Sequence, residues 1–343
     1  MPNLHANPLD AAVKLVTRLT TVHPQEAKVT IGLDIGSTAI KTLALGPRKS
    51  NGARPILGQH SVPVELGQET DASDAVRAAV AALHAPVRAV NLSVSGPWVI
   101  IRIVEMPTMK PTEIKQALPF EAQRYLPFNI QDVIIDGAVL GTVDAHRSWV
   151  LVVACKKELI ERRVDWVRRA GLGVALIDVD ALAIANGFLV GSNDHRPEGT
   201  RAVINVGAQM TNLVIFQGET SYLVRDIPWG GEKLARSASE QQGIELGEVL
   251  KDLGRAETSP ETTNAVKLSS EVLVTELQLS FDYFENRFGQ PPEEILVSGG
   301  LSACQPFMAA LKSHLTQAVT PWVPVKGLPA QFAVAYGLAL RTS

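Results

Sequence analysis

The 343-residue chain has only two cysteines, Cys155 and Cys304, and they lie far apart in the sequence. So few thiols argue against a disulfide-stapled scaffold and against a cysteine-rich zinc site. The seven histidines are also scattered, without the short spacing of zinc ligands. Cys155 ends the apolar stretch WVLVVAC, which predicts a buried thiol in a β-strand.

Long apolar runs are lacking as well. No segment approaches the roughly 20 apolar residues that a membrane-spanning helix needs. Residues 1–10 have neither the basic start nor the apolar core of a secretion signal. We therefore expect a cytoplasmic protein. Residues 14–19 have a short amphipathic pattern, which suits either a membrane or partner contact or a locally packed N-terminal extension.

The chain has no strong excess of one charge. It contains 32 Lys and Arg against 35 Asp and Glu, a net charge of −3, and no dense basic stripe. This composition gives no reason to expect a nucleic-acid partner. A hydrophobic content of 46% and a charged content of 20% are typical of a folded protein, and the length suffices for two lobes.

The most informative stretch is VTIGLDIGSTAIK, which begins at residue 29. An apolar run ends at Asp34, a turn contains Gly36, Ser37 and Thr38, and a second apolar run follows Lys41. Glycine lets backbone N–H groups approach a bound group closely, and rows of N–H groups and hydroxyls bind anions. Asp34 could hold a metal ion through water. The stretch therefore suits a phosphate with Mg²⁺, or else an ordinary β-hairpin with a polar turn.

The same pattern recurs in the second half of the chain. In RAVINVGAQMTNLVIF, residues 201–216, Asn205 aligns with Asp34 and Gly207 with Gly36. Two later apolar stretches, RAVNLSVSG and EILVSGG, also correspond, because each ends in Ser-Gly. This duplication predicts two similar α/β lobes. Their hairpins would face each other across a cleft that binds one nucleotide.

These motifs resemble those of the actin-like ATPase superfamily. DIGSTAIK resembles the first phosphate motif, NVGAQMTN the second, and VSGGLS the adenosine motif. The resemblance implies an α/β, two-lobed actin-like ATPase fold with duplicated ribonuclease-H-like lobes. It also implies ATP or ADP with Mg²⁺ as the ligand. The implied nucleotide-binding residues are Asp34, Gly36, Ser37, Thr38, Lys41, Asn205, Gly207, Thr211, Asn212, Gly231, Ser298, Gly299, Gly300 and Leu301.

Residues 105–136, EMPTMKPTEIKQALPFEAQRYLPFNIQDVIID, narrow the resemblance to the PilM family of type IV pilus assembly. RDIPWGG and FAVAYGLALR also resemble that family, so the match runs from about residue 29 to 341. The resemblance implies a scaffold that binds the cytoplasmic N-terminal segment of a PilN-like inner-membrane protein. That partner would connect the chain to a PilO-like protein and to the inner membrane. The sequence does not determine whether the chain forms a homo-oligomer.

Residues 120–129, FEAQRYLPFN, combine aromatic residues, an arginine and a proline. Such a mixture suits either a peptide groove or the core of a subdomain. The candidate partner-binding residues are Glu121, Tyr125, Leu126, Pro127 and Phe128.

The predicted organisation is an N-terminal extension (1–28), a first lobe (29–195) and a second lobe (196–343). A subdomain of about residues 95–150 is inserted in the first lobe, and a C-terminal helix over 330–341 is placed to return to it. The polar stretch 192–200 is the predicted linker between the lobes.

Three local features also give expectations. Residues 251–265 have the composition of a surface insertion. Residues 272–288 predict a helix whose apolar stripe belongs to the core. Pro119 should kink or split the helix that begins near residue 111, because a proline ring clashes with the preceding turn.

The second hairpin departs from the superfamily pattern. Asn205 replaces the usual acid, and Gln209 and Met210 would crowd a phosphate. We therefore expect nucleotide binding with slow hydrolysis at most, and no residue is identified as catalytic. Two alternatives are a small-molecule kinase, with Asp132 or Asp136 as the base, and an FtsA-like filament protein at a membrane, which would need an amphipathic tail. The sequence does not distinguish a member of the PilM family from a related component of a type II secretion system or of another pilus system.

Overall fold

The computed structural model describes residues 29–49, 52–65, 70–85, 88–191, 199–253 and 258–341. The predicted N-terminal extension and most of the predicted linker lie outside these residues. The proposed boundaries of the two lobes and of the inserted subdomain therefore stay a prediction.

The first half of the chain forms a five-stranded sheet in the order β3-β2-β1-β4-β8. β1 pairs antiparallel with β2 and parallel with β4, which pairs parallel with β8. Apolar residues that are fully buried, such as Leu33 and Leu43, form the inner strands. The strands are β1 (Thr30–Ile35), β2 (Ala39–Leu45), β3 (Ile56–Pro63), β4 (Ala89–Val94) and β8 (Gly173–Val179).

The second half repeats this topology, with the order β11-β10-β9-β12-β13. Its hairpin has the register of the first: Asn205 is opposite Asn212, as Asp34 is opposite Lys41. The alignment inferred from the sequence is therefore confirmed. The strands are β9 (Thr200–Val206), β10 (Thr211–Gln217), β11 (Thr220–Ile227), β12 (Glu294–Gly299) and β13 (Ala318–Pro321).

A smaller antiparallel sheet, in the order β5-β7-β6, is formed by residues that lie between β4 and β8 in the sequence. Its elements are β5 (Val99–Pro107), α2 (Pro111–Ala122), β6 (Val133–Thr142) and β7 (Arg147–Lys156). The helix is not split at Pro119, because α2 continues through it, whereas a kink there stays a prediction. Leu118 and Ala122 flank the proline and are buried with the sheet, so packing offsets the lost backbone hydrogen bond.

The remaining helices cover the outer faces of the sheets or lie between them. No helix in the described part of the chain is long and apolar enough to cross a membrane. These helices are α1 (Ser73–Ala81), α3 (Lys157–Arg169), α4 (Asp180–Gly191), α5 (Gly231–Gln242), α6 (Leu246–Leu253), α7 (Pro260–Phe288), α8 (Gln305–His314) and α9 (Ala333–Leu340).

Helix α7 is longer than predicted. It begins at Pro260, and the Ser259 hydroxyl caps it by accepting from the backbone N–H of Thr262. Ala265 and Val266 are fully buried on its inner face. For residues 260–265, the prediction of a surface insertion is therefore wrong. The predicted apolar stripe is confirmed further along, where Leu277 and Phe284 are fully buried.

Helices α4 and α9 cross between the two large sheets. α4 ends the first half of the chain but packs on β9 and β10, whereas α9 ends the second half but packs on β1 and β2. Glycines permit the closest contacts: an added Cβ would lie 1.9 Å from the Ala335 oxygen at Gly32, and 1.7 Å from the Ala183 oxygen at Gly337. The Asn91 amide also donates to the Leu338 and Arg341 oxygens, each at 2.8 Å. This crossing fixes the two sheets relative to each other.

We expect Gly337→Ala to lower the free energy of unfolding by about 1–3 kcal/mol, because its methyl group must push α9 away from α4. Urea denaturation followed by circular dichroism measures this change. Gly247→Ala on α6 is the matched control, since nothing lies within 4 Å of its added Cβ. Equal stability of the two variants would contradict the close crossing.

Candidate functional site

An open pocket of about 510 Å³ lies between the turns of the two hairpins. Both halves of the chain contribute to its wall, and most of the predicted nucleotide-binding residues line it. These are Asp34, Gly36, Ser37, Thr38, Lys41, Asn205, Gly207, Asn212, Gly299 and Gly300.

Four predicted residues do not line the pocket and instead support its wall. The Thr211 hydroxyl donates to the Trp229 oxygen and the Ser298 hydroxyl to the Ala330 oxygen, both at 2.8 Å. Gly231 donates its N–H to the Gly207 oxygen at 2.9 Å, and its added Cβ would lie 3.6 Å from the Leu301 side chain. The hydroxyls were expected to bind the ligand because the sequence does not show which internal acceptors they reach.

The first turn combines a compact backbone with an ion pair. Gly36 donates its N–H to the Ala39 oxygen at 3.1 Å, which closes the turn. Lys41 Nζ lies 3.0 Å from Asp34 Oδ2 across the hairpin. The two charges compensate each other, while both residues still face the pocket. Ser37 is partly exposed, Thr38 is exposed, and both line the pocket.

The second turn has the same backbone closure, with the Gly207 N–H 2.9 Å from the Met210 oxygen. The Gln209 amide donates to Glu232 Oε2 at 3.1 Å, at the first turn of α5. That bond and the bond from Arg236, which has the larger effect, lower the pKa of Glu232. Gln209 is thus held against α5, and both Gln209 and Met210 line the pocket.

A chain of side-chain hydrogen bonds lies under the second turn. The Asn205 amide donates to Asn212 Oδ1 at 3.2 Å, and the Asn212 amide donates to Asp226 Oδ1 at 2.7 Å. The backbone N–H of Gly96, which follows β4, lies 3.4 Å from Asp226 Oδ2. Asn212 was expected to donate to a phosphate, but a buried carboxylate uses its amide. The chain joins the second hairpin to the first half of the molecule.

The sequence analysis missed the charged residues at the base of the pocket. Asp180 begins α4 and lines the pocket, and Ser93 donates to Oδ1 of Asp180 at 2.5 Å. Burial raises the pKa of Asp180, the nearby Asp34 charge raises it further, and Arg163 opposes both. The sequence did contain one signal for this role, because Asp180 comes directly after the strand β8. The topology places β8 beside β4.

The oxygen ligands of the pocket fit a magnesium ion that keeps much of its water. Mg²⁺ is usually held by one or two carboxylates together with substrate phosphates. Asp34 and Asp180 both line the pocket. Within the described ranges, no group of three or more His, Cys, Asp or Glu side chains is arranged to hold a metal. The arrangement therefore suits a metal that arrives with a phosphate ligand.

Solved structures share this two-lobed architecture. The fold is similar to that of a PilM–PilN type IV pilus biogenesis complex (TM-score 0.79, 23% identity, covering 91% of this chain and 97% of that one). It is also similar to the ethanolamine utilization protein EutJ from Carboxydothermus hydrogenoformans (TM-score 0.55, 14% identity, 97% of each chain). A Bacteroides thetaiotaomicron protein with an actin-like ATPase fold matches at TM-score 0.50 and 10% identity, over 93% of this chain and 98% of that one.

The chain therefore has an actin-like ATPase fold, with a pocket between two similar lobes. This is the fold that the phosphate and adenosine motifs in the sequence imply. The family model described as type IV pilus assembly protein PilM matches residues 32–343. The chain therefore belongs to the PilM family.

Asp226 should make stability depend on pH. Burial raises its pKa from 3.8 to about 6, with the Asp180 charge adding to the effect. Between these values the folded protein keeps a proton that the unfolded chain releases, so this residue's contribution is lost as the pH rises through about 6. We expect Asp226→Asn to be more stable than the native protein by about 1–3 kcal/mol at pH 7.5.

Urea denaturation at several pH values measures this difference. The gain should shrink toward pH 4, where the native carboxyl is protonated in the folded state and partly so in the unfolded chain. A gain that is the same at both pH values would show that the charge of Asp226 is not its cause.

Proposed function

We propose that this chain is a nucleotide-binding scaffold of type IV pilus assembly that binds the cytoplasmic N-terminal segment of a PilN-like inner-membrane protein. The observation that carries the proposal is the pocket that two hairpins in equivalent register share. Membership of the PilM family supports the pilus-assembly role. The partner would place the chain at the cytoplasmic face of the inner membrane, beside a PilO-like protein.

The ligand that suits the pocket is ATP or ADP with Mg²⁺. The backbones of Gly36 and Gly207 would approach the phosphates, with the Ser37 and Thr38 hydroxyls beside them. Gly299 and Gly300 would lie beside the nucleoside, and Asp34 would hold the metal through water. The second hairpin has an amide at Asn205 in place of a carboxylate, so fewer negative charges surround the metal. Slow hydrolysis follows, with turnover below roughly 1 s⁻¹.

The predicted partner-binding residues lie on two faces of the inserted subdomain. Glu121 and Tyr125 face the second lobe, where the Tyr125 hydroxyl donates to Glu121 Oε1 at 3.1 Å. Leu126 packs against the core of the subdomain. Phe128 does not line the groove toward the second lobe that Glu121 and Tyr125 line, and Lys156 Nζ at the end of β7 lies 4.7 Å from its ring centroid. A short peptide would therefore have to bend around residues 121–128 to contact all of them.

The Phe128 face has the better chemistry for the PilN-like segment. Lys156 Nζ also lies 4.8 Å from the ring centroid of Trp98, and the Arg162 guanidinium lies 5.6 Å from the same ring. Aromatic and arginine side chains are enriched at the centres of protein interfaces. Trp98 also lines the nucleotide pocket. This face would therefore bring the partner segment next to the nucleotide.

The kinase alternative has no support from its candidate bases. Asp132 and Asp136 are exposed on the inserted subdomain, and neither lines the pocket. A base must lie within hydrogen-bond reach of the hydroxyl it activates.

For the nucleotide site, we expect Gly36→Val to weaken binding of Mg²⁺–ATP at least about tenfold. Its Cβ would lie 2.9 Å from the Ala39 oxygen and 3.5 Å from Lys41 Nζ, so the branched side chain forces the turn away from the backbone shape that would receive a phosphate. Isothermal titration calorimetry measures the affinity, and Gly247→Ala is the matched control. Native affinity in Gly36→Val would contradict this site.

For the partner site, we expect Phe128→Ala to weaken binding of a synthetic PilN-like N-terminal peptide about tenfold, because an aromatic anchor is lost. Calorimetric titration with and without ATP measures the affinity, and thermal melting confirms the fold. Tyr125→Ala is the matched control on the opposite face. Loss of binding in Tyr125→Ala alone would move the peptide to that face, and no binding to the native chain would refute the partner.

A further inference from the structure

Strand β6 forms a free edge of the sheet in the inserted subdomain. Among the described residues it pairs only with β7, whereas β5, at the opposite edge of this sheet, packs against β11. Helix α2 covers one face of β6, where Ile135 and Val139 pack against the subdomain core. The outer edge therefore offers backbone N–H and C=O groups to an added strand. The proposed function does not use these groups.

This edge lacks the features that usually keep another strand from pairing. Natural sheets protect their edges with lysines, prolines, bulges or a covering element. Residues 133–138, VIIDGA, contain no lysine, arginine or proline, and their register with β7 is regular. The register shifts only further along, between Val139 and Gly141. Residues 133–138 are therefore suited to receive a strand of ordinary length.

The face of β6 opposite α2 presents an apolar residue and an acid at this edge. Ile134 is 47% exposed, and Asp136 is exposed two residues later. Because alternate residues of a strand point to the same face, the two lie in a row along the edge. Ile134 is opposite Cys155, which belongs to a buried core cluster that Leu159 and Ile160 of α3 pack against. An apolar side chain placed beside Ile134 would extend that core.

The Phe128 face lies where this edge begins. Val133, the first residue of β6, is opposite Lys156, whose Nζ contacts the rings of Phe128 and Trp98. A segment bound at Phe128 would therefore continue along β6 on the same surface. A basic residue two positions from the apolar one would meet Asp136. Apolar and oppositely charged cross-strand pairs both stabilise a sheet.

We propose that the PilN-like segment binds in an extended conformation and adds as a strand to the edge of β6, with an apolar residue beside Ile134 and a basic residue beside Asp136. This inference rests on the proposed function, because it takes its partner from there. It adds the binding mode, the chemistry of the partner segment and a set of contacts beyond Phe128.

N-methylation of the synthetic PilN-like N-terminal peptide, one backbone nitrogen at a time, tests the added strand on the native chain. Alternate N–H groups of a strand point toward its neighbour, and the others point away. Methylation of one alternate set should therefore weaken binding at least about tenfold, whereas methylation of the other set should leave it nearly unchanged. Calorimetric titration measures each affinity. Losses that do not alternate along the peptide would contradict strand addition.

Hydrogen–deuterium exchange of the full chain locates the strand. With the native peptide at saturation, we expect slower exchange in residues 133–138 and no change in β3, an edge strand of the first lobe. Protection of residues 133–138 that grows with protein concentration in the absence of peptide would assign this edge to a second copy of the chain. That result would overturn the proposal.

A reversal of charge tests the side-chain contact. We expect Asp136→Lys to weaken the peptide at least about threefold, because the variant replaces an attraction by a repulsion. Asp282→Lys is the matched control, since Asp282 is an exposed acid of α7 in the second lobe. Equal losses in the two variants would show that the peptide does not place a basic residue beside Asp136.

Failure of the proposed function gives a different result from failure of this inference. If the native chain does not bind the peptide, the partner itself is refuted, and the added strand with it. If the peptide binds but residues 133–138 are not protected, the partner stands and only the added strand is overturned.

Discussion

The molecule depends on the contact between helices α4 and α9. Each helix closes one half of the chain and packs on the sheet of the other half. The helix backbones approach so closely at Gly337 and Ala183 that no side chain fits between them. A similar contact at Gly32 seats α9 on β1. Because each sheet is held by the helix of the other, the two hairpin turns are kept facing one pocket.

The hairpins of the two halves have the same register but differ in charge. The first hairpin carries the Asp34–Lys41 ion pair, whereas the second carries two amides at the equivalent positions. Those amides bond to each other and to the buried Asp226, which reaches toward Gly96 in the first half. The weakened copy of the phosphate motif thus contributes to the junction between the lobes. The loss of a carboxylate from the second hairpin is the reason that we propose slow hydrolysis of the nucleotide.

The sequence predicts much of this because its signals are local. Alternating apolar residues and a small polar turn define each hairpin, and duplication supplies the pairing of the lobes. Asp180 was missed as a pocket residue, and Asp226 as the hydrogen-bond acceptor of Asn212, because only the topology brings α4 and β11 beside the turns. The hydrogen bonds of the Thr211 and Ser298 hydroxyls were not predicted for the same reason: their acceptors are distant in sequence. The start of α7 was missed because its outer face is polar, and only tertiary packing reveals the buried side.

The central claim is that two turns from opposite halves close on one nucleotide. Hydrogen–deuterium exchange with a non-hydrolysable ATP analogue and Mg²⁺ tests it directly, because bound backbone N–H groups exchange slowly. We expect the backbone amides of both turns, residues 36–38 and 207–210, to exchange more slowly when the analogue is added in the same titration. Protection of neither turn, or of only one at saturation, would contradict it.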